Sequence, residues 1–205
     1  MTTYDPSLTL REARARYFTD NHFGDDGGYQ DVWVDFKLGP IPMPFPNSPA
    51  RLRAVRYHDL HHILTGYDTD IVGEFEISAW ELGAGCKDFT VAWQLNLGGL
   101  SLGTWVAPRR LFRAFRRGLA SSSLYGLDFE ALLDRRVGEL QAEHGLHRSA
   151  PADASTWLRF LACWAAGAVV GWISFLLLLV GGPVFFLIWL LRGAPRTQKG
   201  APVSA

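Results

Sequence analysis

Between Phe160 and Leu191 run 32 residues without one charged side chain, and this stretch limits what the chain can become more than any other feature. A soluble core helix of such length without a charge is a poor expectation. The first 21 residues, Phe160 to Val180, already suffice to cross a bilayer core of about 30 Å. Gly181-Gly182-Pro183 is expected to kink or break the helix, because proline cannot supply the N–H that the helical ladder needs. Pro183 to Leu191 is too short for a second crossing. Two arrangements remain: one span with a bent end, or a shallow hairpin that returns to the same side. Trp157, Trp164, Trp172 and Trp189 are partly placed for interfacial anchoring. Arginines flank both ends, so charge asymmetry does not set the topology. The segment 157–192 is predicted to be a membrane anchor, and 193–205 a disordered tail. Residues 1–150 are enough for one compact domain with its own core.

That domain reads as mostly all-α. Thr9 and Glu12 form a capping box that opens a helix to about Thr19. Val32 to Phe36 suits a short strand or an extended segment. Gly39 to Pro49 is rich in proline and forces an extended connection, either a rigid spacer or, through Ile41, Met43 and Phe45, an apolar entrance. Phe89 to Val106 approaches the length of a membrane span, but Gln94, Asn96, Gly98 and Gly99 interrupt it and favour a buried core helix. Pro108 begins a helix carrying Arg109, Arg110, Arg113, Arg116 and Arg117 against Leu111, Phe112, Phe115 and Leu119. Beside a membrane anchor, that basic amphipathic face is expected to meet lipid headgroups; a solvated charged face is the alternative. Asp128 caps a further helix through Leu132, Leu133, Val137 and Leu140 to Gly145. His144 and His147 end that helix and are left outside the site, since such histidines commonly meet free carbonyls.

The chemistry concentrates in Tyr57 to Glu74. Ser48 is the expected N-cap of a helix with Pro49 at its first position and Gly66 as its stop. At 100° per residue, His58, Asp59 and His62 fall within about 100° of one another, in the same sector as Val55, Leu52 and Ile63. His61 points away from that sector. Polar groups on a face that should be buried must be paired or must bind something. Two imidazoles at i and i+4 with a carboxylate returning from the next element is a metal-site pattern. After Gly66 the chain turns, and Thr69 is expected to cap a second helix to about Leu82. In an antiparallel hairpin Glu74 then lies level with His62. The candidate metal ligands are therefore His58, Asp59, His62 and Glu74. Glu81, on the same stripe as Asp70, Glu74 and Ser78, is a supporting or reserve carboxylate, and Glu76 faces solvent. The alternative is an exposed helix turn or a hydrogen-bonded cluster satisfied without an ion.

Composition excludes some classes. With 20 basic and 20 acidic residues the formal net charge is zero, so no nucleic-acid partner is indicated. Two cysteines, Cys86 and Cys163, make no disulfide framework and fit a reducing compartment. The amino-terminal stretch lacks an apolar signal region, and Asp5, Glu12 and Asp20 among its arginines are unlike a mitochondrial transit peptide.

H-D-L-H-H followed by Glu74 matches the pattern H-D-x-x-H-(eleven residues)-E, and with the flanking L-T-G and G-E it resembles the coenzyme Q (ubiquinone) biosynthesis protein 4 family. The resemblance runs from about Val32 to Leu140. It implies a helical, membrane-associated protein whose zinc-type site is held by His58, Asp59, His62 and Glu74. It also implies a link to oxidative removal of the ring carboxyl group from a polyprenylated benzoate precursor, and to organising a biosynthetic complex. The domain is short for the family and the anchored tail is not a usual family feature. The missing transit peptide suggests a bacterial-type member, with the domain on the cytoplasmic side of the inner membrane.

Three functions are expected in order. The first is a membrane-anchored metalloenzyme that decarboxylates a polyprenylated hydroxybenzoate, with Zn2+ as Lewis acid or Fe2+ as the alternative. Asp59, as a loosely held ligand or base, and Glu81 are then the candidate catalytic groups. The second is a non-catalytic lipid-binding scaffold for other quinone-biosynthesis proteins. The third is a metal-dependent hydrolase, because H-D-x-x-H resembles the H-E-x-x-H helix.

Overall fold

The computed structural model describes residues 2–34, 37–38 and 41–191. Along them run α1 (Leu10–Asp20), β1 (Trp33–Val34), β2 (Lys37–Leu38), β3 (Ile41–Pro42), β4 (Phe45–Pro46), α2 (Pro49–Thr65), α3 (Ile71–Ala84), α4 (Thr90–Val106), α5 (Pro108–Leu119), α6 (Phe129–Leu133), α7 (Val137–Glu143) and α8 (Ala154–Leu191). The fold is mostly helical, as the sequence predicts. The tail 193–205 and the side chain of Ile41 lie outside the described residues.

Local chemistry sets several boundaries. Thr9 and Glu12 close a reciprocal capping box on α1. Ser48 caps α2 by accepting from the Arg51 N–H, Pro49 takes the first turn, and Gly66 leaves the helix in the left-handed region at φ 74°. For α3 the cap is Asp70, which accepts from the Gly73 N–H, and not Thr69. The Thr69 hydroxyl is instead bonded to Asn21.

The proline-rich stretch carries short extended pieces. Among the described residues β1 pairs antiparallel with β4 and β2 with β3, a narrow ribbon. Pro42 and Pro46 need no ladder N–H at the edges of such two-stranded pieces. The expected helix from Asp128 to Gly145 is also split in two. Leu10 N–H donates to Arg135 O at 2.8 Å and Val137 N–H to Leu8 O at 2.9 Å. The amino-terminal segment around Thr9 thus draws the backbone groups at 135–137 out of a continuous helix, between α6 and α7.

Two helix crossings organise the domain. Where α3 meets α5, a Cβ added at Gly118 would strike Trp80 O and one added at Gly83 would strike Phe115 O. Where α4 meets α8 the helices run antiparallel: Gln94 bonds Ser174 at 3.2 Å, a Cβ at Gly167 would collide with Leu97 O, and the Trp105 and Trp164 rings lie 6.4 Å apart. α4 is therefore not the wholly buried helix expected from its sequence. Ala92, Asn96, Leu100, Ser101 and Gly103 are buried, while Leu95, Leu102, Trp105 and Val106 are exposed.

Helix α8 continues unbroken through Gly181-Gly182-Pro183, so the chain makes no return hairpin there. Its portion Ala154–Leu177 is long and apolar enough to cross a membrane, and most of that surface is unburied. On α5 the basic face is largely committed within the domain. Arg110 pairs with both oxygens of Glu76 at 2.9 and 2.5 Å, Arg116 donates to Ala150 O, and Arg117 donates to Thr65 O and Leu146 O. Arg109 and Arg113 stay exposed. Glu76 is accordingly buried rather than solvated, since Arg110 supplies the counter-charge.

Candidate metal centre

The second half of α2 is buried all round, Leu60 to Thr65 included, because α1, α3, α4 and α7 enclose it. His62 and Asp59 are buried and His58 is half-buried. α3 begins after Gly66-Tyr67-Asp68-Thr69-Asp70 and brings Glu74 across from both histidines. Glu74 Oε2 lies 3.3 Å from His58 Nε2, and Glu74 Oε1 lies 3.3 Å from His62 Nε2. The two Nε2 atoms are themselves 3.2 Å apart. One donor atom from each of His58, His62 and Glu74 falls within a 4.8 Å group, so this cluster can hold a metal ion.

The tautomers favour that use. His62 Nδ1 faces the Tyr67 carbonyl at 3.0 Å, which can only accept, so its proton sits on Nδ1 and Nε2 carries a lone pair. His58 Nδ1 faces Glu81 Oε1 at 3.0 Å, and the same reasoning directs its neutral-state lone pair at Nε2. Two lone pairs at 3.2 Å repel unless a proton or a cation lies between them. Holding each ligating imidazole by its far nitrogen is a standard device for fixing orientation.

Without a metal, the proton takes that place. Burial alone would lower the His58 pKa, but Glu81 and Glu74 raise it well above the ordinary histidine value. Glu74 shows the counterpart: burial would raise it, yet the hydrogen bond from His58 Nε2 and the neighbouring His62 ring bring it down to about 2. Glu81 is likewise held well below the carboxylate range against its burial, by the charges and hydrogen bonds of His58 and His61.

Glu81 is the hub behind the site. Its Oε1 accepts from His58 and, at 2.7 Å, from His61; its Oε2 accepts from Asn96 at 2.5 Å and from the Tyr125 hydroxyl at 2.8 Å. His61, expected to point aside, is fully buried. It receives the Leu124 N–H on Nε2 at 2.9 Å, which leaves Nδ1 as donor to Glu81. Its pKa is lowered, chiefly by burial.

Asp59 stands apart from the cluster of three. Tyr29 donates to Asp59 Oδ2 at 2.6 Å and Tyr17 to Oδ1 at 3.4 Å, so its oxygens turn toward α1 and the loop before β1. Burial raises its pKa, and the Tyr29 hydrogen bond only partly offsets this. Tyr17 also stacks on the His62 ring at 5.9 Å.

A cavity of about 610 Å³ adjoins the cluster. His58, Asp59, Glu74 and Glu81 line one side, while Phe23, Val55, Phe75 and Leu95 give it an apolar wall. That size suits a small organic ligand or the head of a larger one.

Sequence reasoning missed Tyr17, Tyr29, His61, Asn96 and Tyr125. Asn96, a polar residue within an apolar helix, carried a usable signal. The tyrosines did not, because their partners are set by long-range packing.

The fold and cluster define a helical protein with a candidate metal centre and an apolar carboxy-terminal helix long enough to cross a membrane. Compared with known family models, curated proteins and solved structures, the chain matches none.

Proposed function

We propose that the protein is a membrane-associated metalloprotein of ubiquinone biosynthesis that removes the ring carboxyl group of a polyprenylated hydroxybenzoate. The observation that carries this reading is the meeting of His58 Nε2, His62 Nε2 and Glu74 at the wall of a largely apolar cavity. Three protein ligands leave coordination positions for a substrate oxygen, as in catalytic zinc sites. A bound zinc ion supplies Lewis acidity toward a carboxylate or carbonyl oxygen, and iron(II) is the alternative where dioxygen is the oxidant.

The chain's own residues supply the setting. Glu81 and the Tyr67 carbonyl hold the two imidazoles in their tautomers. Asp59, whose pKa burial raises, lines the same cavity with its oxygens held by Tyr29 and Tyr17. Phe23, Val55, Phe75 and Leu95 offer an aromatic ring an apolar wall to pack against. The apolar helix α8 supports delivery of a substrate with a long isoprenoid tail from a bilayer. We place the domain on the cytoplasmic side of a bacterial inner membrane.

The scaffold reading is favoured by one observation, the exposed apolar face of α4 beside α8. The hydrolase reading lacks comparable support, because both Asp59 oxygens already accept from tyrosines.

Replacing His62 by alanine in cells that produce the protein separates these readings. The enzyme reading requires loss of metal and accumulation of the carboxylated prenyl-ring precursor at normal protein abundance. Unchanged quinone with the metal lost would mean a structural ion. Normal precursor ratios with a dispersed complex would mean a scaffold.

A further inference from the structure

We propose that Arg51 recognises the anionic group of the ligand, so that an aromatic acid lies along α2 with its carboxylate at the guanidinium and its opposite oxygen toward the histidine pair. This rests on the substrate class proposed above and assigns the end of the cavity that reads it. Arg51, Val55 and His58 are spaced i, i+4 and i+7 on α2, and all three line the cavity. At about 1.5 Å per residue, Arg51 sits roughly 10 Å along the helix from His58 and on nearly the same face. The Asn47 hydrogen bond draws the guanidinium toward the start of α2, and a para-substituted ring with a hydrogen bond at one end and a metal–oxygen contact at the other spans a gap of that order.

The charge environment supports the assignment. Arg11, Arg53, Arg56, Arg110 and Arg135 each pair with a carboxylate within 4.0 Å. Among the described residues no such ion pair is made by Arg51. Its Nη1 donates to a neutral acceptor, Asn47 Oδ1, at 2.8 Å, and its guanidinium lies over the Phe45 ring at 5.7 Å. Asp59, the acidic group that acts on it through space, has its oxygens occupied by Tyr17 and Tyr29. With Asn47 as its one hydrogen-bond acceptor among the described residues, the half-buried guanidinium offers further N–H groups to a planar anion, which such a fork binds with two parallel hydrogen bonds. Asn47 and Phe45, from the ribbon that precedes α2, hold it in place.

The test uses the full-length, zinc-loaded protein in detergent, with a geranylated para-hydroxybenzoate and its methyl ester as probes. Wild type should prefer the acid. Arg51→Met should bind the acid roughly 10- to 100-fold more weakly and the ester unchanged, with unaltered zinc stoichiometry. Arg51→Lys, which keeps the charge but not the fork, should lose several-fold on the acid alone, and it serves if the methionine variant does not fold. Wild-type preference for the acid in either variant overturns the assignment while leaving the substrate class standing. Failure of the wild-type protein to bind either probe overturns the substrate class itself, and the assignment with it.

Discussion

Glutamine in place of Glu81 tests the idea that one buried carboxylate both stabilises the domain and prepares the metal ligands. The side chain is fully buried and accepts from four donors, those of His58, His61, Asn96 and Tyr125. Glutamine fills the same space but removes the charge and turns an N–H2 toward groups that donate. Breaking a buried charged network in this way costs about 3–5 kcal/mol. For a domain of this size about 1 kcal/mol shifts the melting temperature by roughly 2–4 °C, so a fall of about 10 °C is expected. Loss of the carboxylate behind His58 should also weaken zinc binding about 10- to 100-fold, or roughly 1.4–2.7 kcal/mol. Thermal melts of the metal-free protein followed by circular dichroism give the first number. Competition with a chromophoric chelator gives the second. Wild-type zinc affinity in Glu81→Gln, with the fold intact, would refute the claim that Glu81 sets the His58 tautomer.

Two further outcomes are expected. In the metal-free protein the raised His58 pKa means that its ion pairs contribute stability fully below the ordinary histidine value, a contribution lost as pH rises through the folded pKa. Glu74, lowered to about 2, contributes above the ordinary carboxylate value and loses that contribution as pH falls toward 2. Denaturant midpoints should therefore decline on both limbs, and zinc should rescue the alkaline limb with release of the His58 proton, read by calorimetry in buffers of different ionisation enthalpy. Separately, Gly118→Val should cost several kcal/mol and lower the urea midpoint, because its Cβ would strike the Trp80 carbonyl at the α3–α5 crossing; an unchanged midpoint would show that these helices can separate.

Helix identities and caps were legible because they depend on neighbours in the chain: Ser48, Pro49, Gly66, and the Thr9–Glu12 box. The level placement of Glu74 with His62 was legible too, since helix rise and a short turn suffice to set it. Angular sectors failed on α2, because a helix enclosed by four others has no solvent side on which His61 could be placed. Glu76 was misjudged for a related reason, as its counter-charge comes from Arg110 on a helix 34 residues onward. The split between α6 and α7 depends on pairing with residues 8–10, more than a hundred positions away. Asp59 looked like a ligand by spacing, and only the position of Tyr29 and Tyr17 shows which way its oxygens turn.

The antiparallel seam between α4 and α8 has a mechanical consequence. Contacts at Trp164, Gly167 and Ser174 clamp the carboxy-terminal rod to the body over about 15 Å of its length. The globule is thus no balloon on a string. Were the rod seated in a lipid sheet, its tilt would bear on α4, whose Leu95 and Asn96 line the histidine cavity, and sheet thickness would become a mechanical input to the site.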